Sequence, residues 1–510
     1  MTRPSVPPEA NNYLLFSDVH LGADLVQHAQ PWTAERLREA HQVDHQLGSM
    51  LEHYRARSEP GRPWRLVIAG DFIDLVGMSI SADPSLTAAL TEDDREHGLG
   101  SSHEHAAVKM RAVAVRHDGL FQKLARFIDA GHSLVLIRGN HDVELYWEAA
   151  QSAFVEALLA RSELAKDDSA NRALFEQRIE FRHWFYYVRG LLYVEHGHQY
   201  DPTCAYQHVL APLSPRDPFR ISYSFSDILL RYVVRPTRQL SQDGHENNSM
   251  LWYIRLAFSL GLRGCAQLGY RFFGAVARMV GAWRDHLSEH AAQVRAEHEK
   301  RLHQLGEMLR LNSELLQKMT QLWATPVTTR LLTIFRTVFL DGLAIGLLSS
   351  LVIALLGVAG VVSWVWLPQL FGLVSVGMFF YATRAKVLEP HAALRSGAAK
   401  LSELMPARYY VMGHTHRPAM EQVSAASTYV NLGNWSVDLL DEHAPKAPCS
   451  HLVIRHDERS GRHTATLYGW DLETGASVMW SDVERSAETQ SGAPVLGPGT
   501  LQTQPVSPRS

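Results

Sequence analysis

Five short polar clusters, each closing an apolar run, set the terms on which this chain can fold. They are Asp18-Val19-His20, Gly70-Asp71-Phe72-Ile73-Asp74, Gly139-Asn140-His141-Asp142, His196-Gly197-His198 and Gly413-His414-Thr415-His416. The runs before them, at residues 14–17, 65–69, 133–137, 191–194 and 409–412, are short and almost free of charge, and read as buried strands. Residues 33–55 and 105–130 carry helix-like apolar spacing. Strands alternating with helices predict an α/β fold with its polar chemistry at strand ends. Residues 181–188 and 191–194, flanking Arg189-Gly190, read as a hairpin that delivers His196. Residues 428–432, 452–456 and 464–470 read as later strands.

Four clusters lie in the first two-fifths of the chain and the fifth comes far later. Within the gap, residues 342–383 hold 42 positions without Asp, Glu, Lys or Arg. About 20 apolar residues span a bilayer as a helix, so the stretch predicts two membrane helices, at about 338–358 and 364–383. Pro368, Gly357, Gly360 and Gly372 offer places for the turn, and Trp364 and Trp366 suit the far interface. Arg330 and Arg336 before the run, and Arg384 and Lys386 after it, predict that both ends face the cytosol. Residues 250–283 mix leucines and aromatics with Arg255, Arg263, Arg271 and Arg278, and Arg284 comes directly after. These five arginines fall within about half a helical wheel. That pattern fits either a helix, broken near residues 261–264, on an anionic membrane surface or an amphipathic helix packed on the rest of the protein.

At 510 residues the chain exceeds one typical domain. With 49 basic and 53 acidic residues it makes no global case for nucleic acid. Cys204, Cys265 and Cys449 form no disulfide framework, and the proline-rich start has no apolar core of a signal peptide. The expected organisation is a disordered start (1–12), the first part of a catalytic domain (13–205), a helical membrane-associated insertion (206–400), the second part of the catalytic domain (401–484) and a disordered tail (485–510).

The clusters supply the oxygen and imidazole donors that hard and borderline divalent ions take. A two-metal hydrolytic site needs a bridging carboxylate with further O and N ligands around it. Asp71 is the natural bridge, Asp18 with His20 and His414 with His416 are pairs spaced two apart, Asn140 offers a carbonyl oxygen and His196 an imidazole. His103 and His105 read as solvated loop residues.

The order Asp-x-His, Gly-Asp-x-x-Asp, Gly-Asn-His-Asp, His, Gly-His-x-His resembles the calcineurin-like metallophosphoesterases over residues 13–202 and 404–470. The resemblance implies a four-layer α/β/β/α sandwich with two divalent ions, Mn and alternatively Fe or Zn. It implies one ion on Asp18, His20, Asp71 and His416 and the other on Asp71, Asn140, His196 and His414. His141 would contact the phosphate or protonate the leaving oxygen, Asp142 would orient His141, and Asp74 would support the site from behind. His198 and Arg417 are candidate substrate contacts. Within the superfamily, residues 16–22 and 413–418, with Asn431-Leu432-Gly433-Asn434-Trp435, are similar to UDP-2,3-diacylglucosamine hydrolases. Those enzymes cleave a lipid-linked pyrophosphate at the inner membrane with Mn2+ and carry their acyl-chain lid at the same point of the chain. Here the insertion is far longer, and His141 stands where that group commonly has arginine, which favours the general phosphoesterase pattern.

The leading expectation is therefore a metal-dependent phosphoesterase of the cytoplasmic (inner) membrane. Its catalytic domain would face the cytosol and act on a phosphate or pyrophosphate ester of a lipid. The alternatives are a tethered phosphoesterase for soluble diesters, nucleotides or phosphoproteins, and a membrane scaffold with a vestigial metal site.

Overall fold

Strands that are apolar on both faces organise the molecule. The computed structural model describes residues 11–26, 34–81, 86–87, 89–166, 168–237, 250–338, 340–384, 389–436, 449–457 and 462–481. β1 (Asn12–Phe16), β2 (Trp64–Ala69) and β3 (Ser133–Ile137) are buried almost throughout and pair in parallel, Leu15 opposite Val67 and Val67 opposite Val135. Between them run α1 (Ala34–Ala56), α2 (Glu92–His97), α3 (His103–Arg116) and α4 (Asp118–Asp129). α5 (Glu148–Leu159), α6 (Ser169–Glu176) and β4 (Ile179–Arg182) come next. β4 adds to β3, and β10 (Ser450–Asp457), β11 (Arg462–Asp471) and β12 (Ala476–Met479) extend the other edge antiparallel. The result is a seven-stranded mixed sheet in the order β12-β11-β10-β1-β2-β3-β4. A second, five-stranded mixed sheet has the order β5-β6-β7-β9-β8, from β5 (Phe185–Val188), β6 (Leu192–Glu195), β7 (Tyr409–Met412), β8 (Ala419–Gln422) and β9 (Thr428–Asn431).

The two-residue period of a strand divides these side chains between cores. Leu14, Phe16, Leu66, Ile68, Leu134 and Leu136 share one core with Leu47, Met110, Leu124 and Phe154 of α1, α3, α4 and α5. Tyr13, Leu15, Val67, Ala69, Val135 and Ile137 share another with Leu192, Val194, Val411 and Val430 of the second sheet. The far side of that sheet, through Phe185, Tyr193, Tyr410 and Tyr429, packs on helices from the insertion. The fold is thus α/β, as the run pattern implies.

The insertion contains α7 (Phe225–Leu229), a π-helical turn (Leu230–Val234), α8 (Met250–His286), α9 (His290–Leu309), α10 (Ser313–Thr320) and α11 (Leu331–Thr337). α12 (Leu340–Val358), α13 (Leu367–Arg384) and α14 (Pro390–Leu404) complete it. Leu302 of α9, Leu316 and Met319 of α10 and Leu394 and Leu401 of α14 cover the second sheet, so part of the insertion is a layer of the protein itself. A helix therefore crosses the expected boundary at residue 400. α12 is long and apolar enough to cross a membrane and is only 12% buried; within α13 the apolar run Leu367–Gly377 is shorter. The two helices meet where Gly357 faces Leu367, and the turn between them uses Gly360 at φ +70°. Pro368 sits in the first turn of α13, where its missing N–H costs nothing.

Several expectations are corrected. The run 181–188 is not one strand: β4 ends at Arg182 in the first sheet, and β5 starts at Phe185 in the second. Buried Trp184 lies at the break, with its indole N–H donating to Glu195. The hairpin that precedes His196 is β5–β6 alone. Residues 105–130 are two helices, parted at His117, whose Nε2 accepts from Gly22 N–H and whose Nδ1 meets Asp44. His103 and His105 lie on α3, and His105 is buried rather than solvated. Asn12 opens β1 instead of belonging to a disordered start, and the expected tail beyond residue 481 lies outside the described residues.

Lys109 of α3 and Glu144 form a buried pair, Nζ to Oε1 2.7 Å. Removing one partner strands a buried charge at a cost of about 3–5 kcal/mol, whereas removing both is close to neutral. Lys109→Met should lower the melting temperature of the detergent-purified protein clearly, and adding Glu144→Leu should restore most of the loss, read by differential scanning fluorimetry.

Candidate metal centre

β1, β2 and β3 end side by side in one sheet, and β6 and β7 pair in parallel in the other, Val194 opposite Val411. Each cluster comes directly after one of these strands. His196 and His414 therefore meet, ring centroids 5.4 Å apart, although the whole insertion separates them in sequence.

Asp18 and Asp71 lie at the centre, both buried. Asp71 Oδ2 is 3.0 Å from His196 Nε2, and Asp71 Oδ1 accepts from the His141 N–H at 2.8 Å. Asp18 accepts from the His414 N–H and is 3.3 Å from His416 Nε2. His20 and His416 bring their Nε2 atoms to 3.3 Å. His196 Nδ1–H donates to the Ala69 carbonyl, which leaves Nε2 as the donor atom, 3.1 Å from Asn140 Oδ1. Three groups, Asp18-His20-His416, His20-Asp71-His141 and Asp18-Asp71-His196, bring potential ligand atoms within 4.8 Å of one another.

Backbone strain marks the same residues. Among the described residues, seven that are not glycine have positive φ, and five of them are Asp18 (55°), His20 (54°), Asp71 (51°), His414 (68°) and His416 (56°). Left-handed backbone in a non-glycine residue costs about 1–3 kcal/mol and persists where surrounding structure imposes it. Gaps without a side chain let the clusters close on each other. A Cβ on Gly139 would stand 2.1 Å from Asp71 Oδ1, and one on Gly413 2.4 Å from Asp18 Oδ2.

Electrostatics reflect this crowding. Burial alone would raise the Asp71 carboxyl, but His196 and His141 beside it hold it well below the usual range. Burial opposes charge on His196, yet Asp71 and Asp18 push it up to about 9. His141 is likewise raised against burial, to about 10, by Asp74 and Asp71. Burial and the neighbouring His141 drive His20 down to about 4. The buried carboxylates thus carry compensating imidazolium charge, the charge that a divalent ion on the same donors replaces.

The carboxylate on the His141 ring is Asp74, not Asp142: Asp74 Oδ1 is 2.8 Å from His141 Nδ1. Asp142 turns inward and accepts from Gly139 N–H and Phe72 N–H, clamping the third cluster onto the second. Burial and the charge of Asp71 raise it to about 7. His198 is buried, its ring 5.4 Å from that of His196 and its Nε2 2.9 Å from the Gln199 amide, so it lies in the wall of the site. Arg417 is exposed beside His416.

Two contributors carry no motif. Asp201 Oδ2 is 3.2 Å from His414 Nε2, which leaves Nδ1 of that ring as its free donor; Asp201, Cys204 and His414 form a further group of potential ligands. Arg235, from the insertion, places Nη2 2.7 Å from Asp74 Oδ2 and donates through Nη1 to the Ala23 carbonyl. An acidic residue soon after the fourth cluster was a usable signal for Asp201. Nothing in the sequence around Arg235 points to Asp74.

Compared with family models, with curated proteins and with solved structures, the chain matches none.

Gly139→Ala has no room for its methyl group unless Asp71 moves. After Mn2+ loading it is expected to hold less than half the metal of the unaltered protein by inductively coupled plasma mass spectrometry, with an unchanged far-ultraviolet circular dichroism spectrum.

Proposed function

We propose that the protein is a membrane-anchored, dinuclear-metal phosphoesterase that hydrolyses a phosphate or pyrophosphate ester, preferentially a lipid-linked one. The observation that carries this reading is the meeting of Asp18, His20, Asp71, Asn140, His196, His414 and His416 from five strand ends, with five of them in left-handed backbone. On this reading one ion is held by Asp18, His20, Asp71 and His416, and the other by Asp71, Asn140, His196 and His414. Such O and N donors suit Mn2+, with Fe and Zn2+ as alternatives. The three apolar cores, each strand face meeting a different partner layer, support a four-layer α/β/β/α sandwich and with it the calcineurin-like likeness read from the motifs.

When bound, the ion pair supplies a Lewis acid for the phosphoryl oxygens and an activated water. The remaining work falls to side chains. His141 is partly exposed and held through Nδ1 by Asp74, so Nε2 is free to donate to a phosphate oxygen or to the leaving oxygen. Asp74 is itself held by Arg235, which fixes the ring. Asn140 contributes a neutral oxygen, which adds a ligand without adding charge to the paired carboxylates. Arg417, exposed beside His416, is suited to pair with a second phosphate oxygen. Asp142 keeps the loops in register and takes no part in orienting His141.

α12 and α13 form the proposed transmembrane hairpin, with the catalytic domain on the cytosolic face of the inner membrane. The length and low burial of α12 support the crossing, as do Trp364 and Trp366, exposed at the turn. The basic flanks support the side.

Mn-loaded protein should hydrolyse bis-p-nitrophenyl phosphate, and Asp71→Ala should bring the rate to background; turnover at the native rate would overturn the catalytic reading. His141→Ala should lower kcat by roughly a hundred- to ten-thousandfold. Asp74→Asn should change kcat in the same direction, whereas Asp142→Asn should act mainly on thermal stability. In mixed micelles, phospholipid and nucleotide-sugar-lipid esters should be cut faster than soluble diesters; equal kcat/KM would count against the lipid part of the reading.

A further inference from the structure

The two faces of α8 have different surroundings. Inward, Ala275 and Met279 are buried, with Leu268 and Trp283 packed alongside. They meet Tyr232, Val233 and Val234 of the π-helical turn and Ile334 of α11. Two of the arginines expected on a cationic face also turn to the protein. Arg271 reaches Thr237, and Arg278 lies over the Tyr232 ring at 4.0 Å and 3.6 Å from Asp93. Outward, Leu262, Ala266, Tyr270, Phe273 and Ala277 are exposed at spacings of four, four, three and four residues, the repeat of one helical face. Leu262 is 92% and Tyr270 81% exposed. Arg263 and Arg284, both exposed, lie near the two ends of this stripe. The helix breaks just before it, at Gly261 (φ 62°, ψ 179°).

We infer that this stripe is a docking surface for an anionic phospholipid bilayer, lying along the membrane plane beside the hairpin. The inference rests on the proposal that α12 crosses the bilayer. α11 ends at Thr337 and α12 begins at Leu340, so α11 stands at the membrane surface wherever α12 enters it. α8 packs on α11 through Ala275, Met279 and Ile334, and packed helices lie about 8–10 Å apart. The axis of α8 is then about one packing distance from that of α11, and its outer face, turned away from the protein, is open to the headgroups. Its composition matches that position: aliphatic and aromatic side chains for the acyl boundary, with arginine near each end for anionic headgroups. A soluble helix with these leucine and aromatic side chains in water would lose free energy that a bilayer returns. The inner face explains why the segment also reads as an amphipathic helix packed on the enzyme; it is both, on opposite sides.

The test uses the full chain in vesicles. With Cys265→Ser to remove the half-buried thiol, Phe273→Cys carries an environment-sensitive nitrobenzoxadiazole label, and Leu351→Cys on α12 carries it in a parallel sample. Vesicles of phosphatidylcholine, with and without about one-third phosphatidylglycerol, contain a lipid spin-labelled near the headgroup or deep in the acyl chain. The label at residue 273 should be quenched by the shallow spin label, more strongly in anionic vesicles. The label at residue 351 should be quenched by the deep one. Arg263→Ala or Arg284→Ala should each weaken the anionic-lipid dependence at residue 273 by roughly fivefold, the equivalent of about 1 kcal/mol per basic residue. Quenching at 351 without quenching at 273 overturns the docking surface and leaves the anchor standing. No quenching at either position overturns the anchor and the docking surface together. Quenching at 273 that is equal in neutral and anionic vesicles overturns the assignment of anionic lipid.

Discussion

The burial of two carboxylates, Asp18 and Asp71, at the meeting of two sheets is the constraint on which the rest of the structure depends. Neither can be left unpaired out of water without a penalty of several kcal/mol. The chain meets that demand with the N–H groups of His414 and His141 and the rings of His196 and His416. The partners come from three strand ends and the two carboxylates from two more, so the five loops must close on one another. That closure requires gaps without side chains at Gly139 and Gly413 and forces left-handed backbone on Asp18, His20, Asp71, His414 and His416. A chain that needed only stability would have filled the same space with apolar side chains. The residue types, the strain and the gaps coincide at the residue groups that could hold a metal ion.

The insertion is part of this architecture. β6 and β7 pair in parallel across it, and α9, α10 and α14 cover the aromatic face that these strands present. Three arginines from its first third bind acids of the preceding domain: Arg220 grips Asp94 with both terminal nitrogens, Arg231 meets Asp93 and Arg235 meets Asp74. Removing the insertion would expose Tyr193, Tyr410 and Tyr429 and strip Asp74 of its cation. The second sheet and the helices of the insertion that cover it stabilise each other.

The clusters were legible because their chemistry is written in residue type and their position in the apolar runs before them; β1, β2, β3, β6 and β7 all end within one residue of where those runs end. The features that could not be read depend on direction in space. Asp142 comes right after His141 in sequence, yet successive side chains in a tight turn diverge, and the ring found Asp74 instead, 67 positions away. The run 181–188 is split between two sheets, its first half partly buried in β4 and its second half buried in β5, and residue pattern says nothing about which sheet takes each half. His117 breaks a helix because its ring is recruited to hold Gly22 and Asp44, a tertiary demand that helical spacing does not register. The arginines of α8 share a helical half in projection, yet two of them fold back onto Tyr232, Asp93 and Thr237.

One continuous set of contacts joins α8 to the candidate metal centre. α8 packs on the π-helical turn at residues 230–234, Arg235 leaves that turn for Asp74, and Asp74 holds His141. π-helical turns are rare and gather at functional sites, because their extra residue re-aims the chain beyond the turn; the residue re-aimed in this protein is Arg235. Each link is a packed side chain or a charged hydrogen bond shorter than 3 Å, so the chain of contacts is stiff rather than elastic. A misplacement of about 1 Å in a catalytic group is enough to cost about a hundredfold in rate. On the proposed reading, a helix seated on the membrane and a histidine at the candidate metal centre would belong to one mechanical unit. The contacts from α8 through Arg235 and Asp74 to His141 would then give a physical reason for the candidate centre to be interrupted in sequence by the segment proposed to reach the membrane.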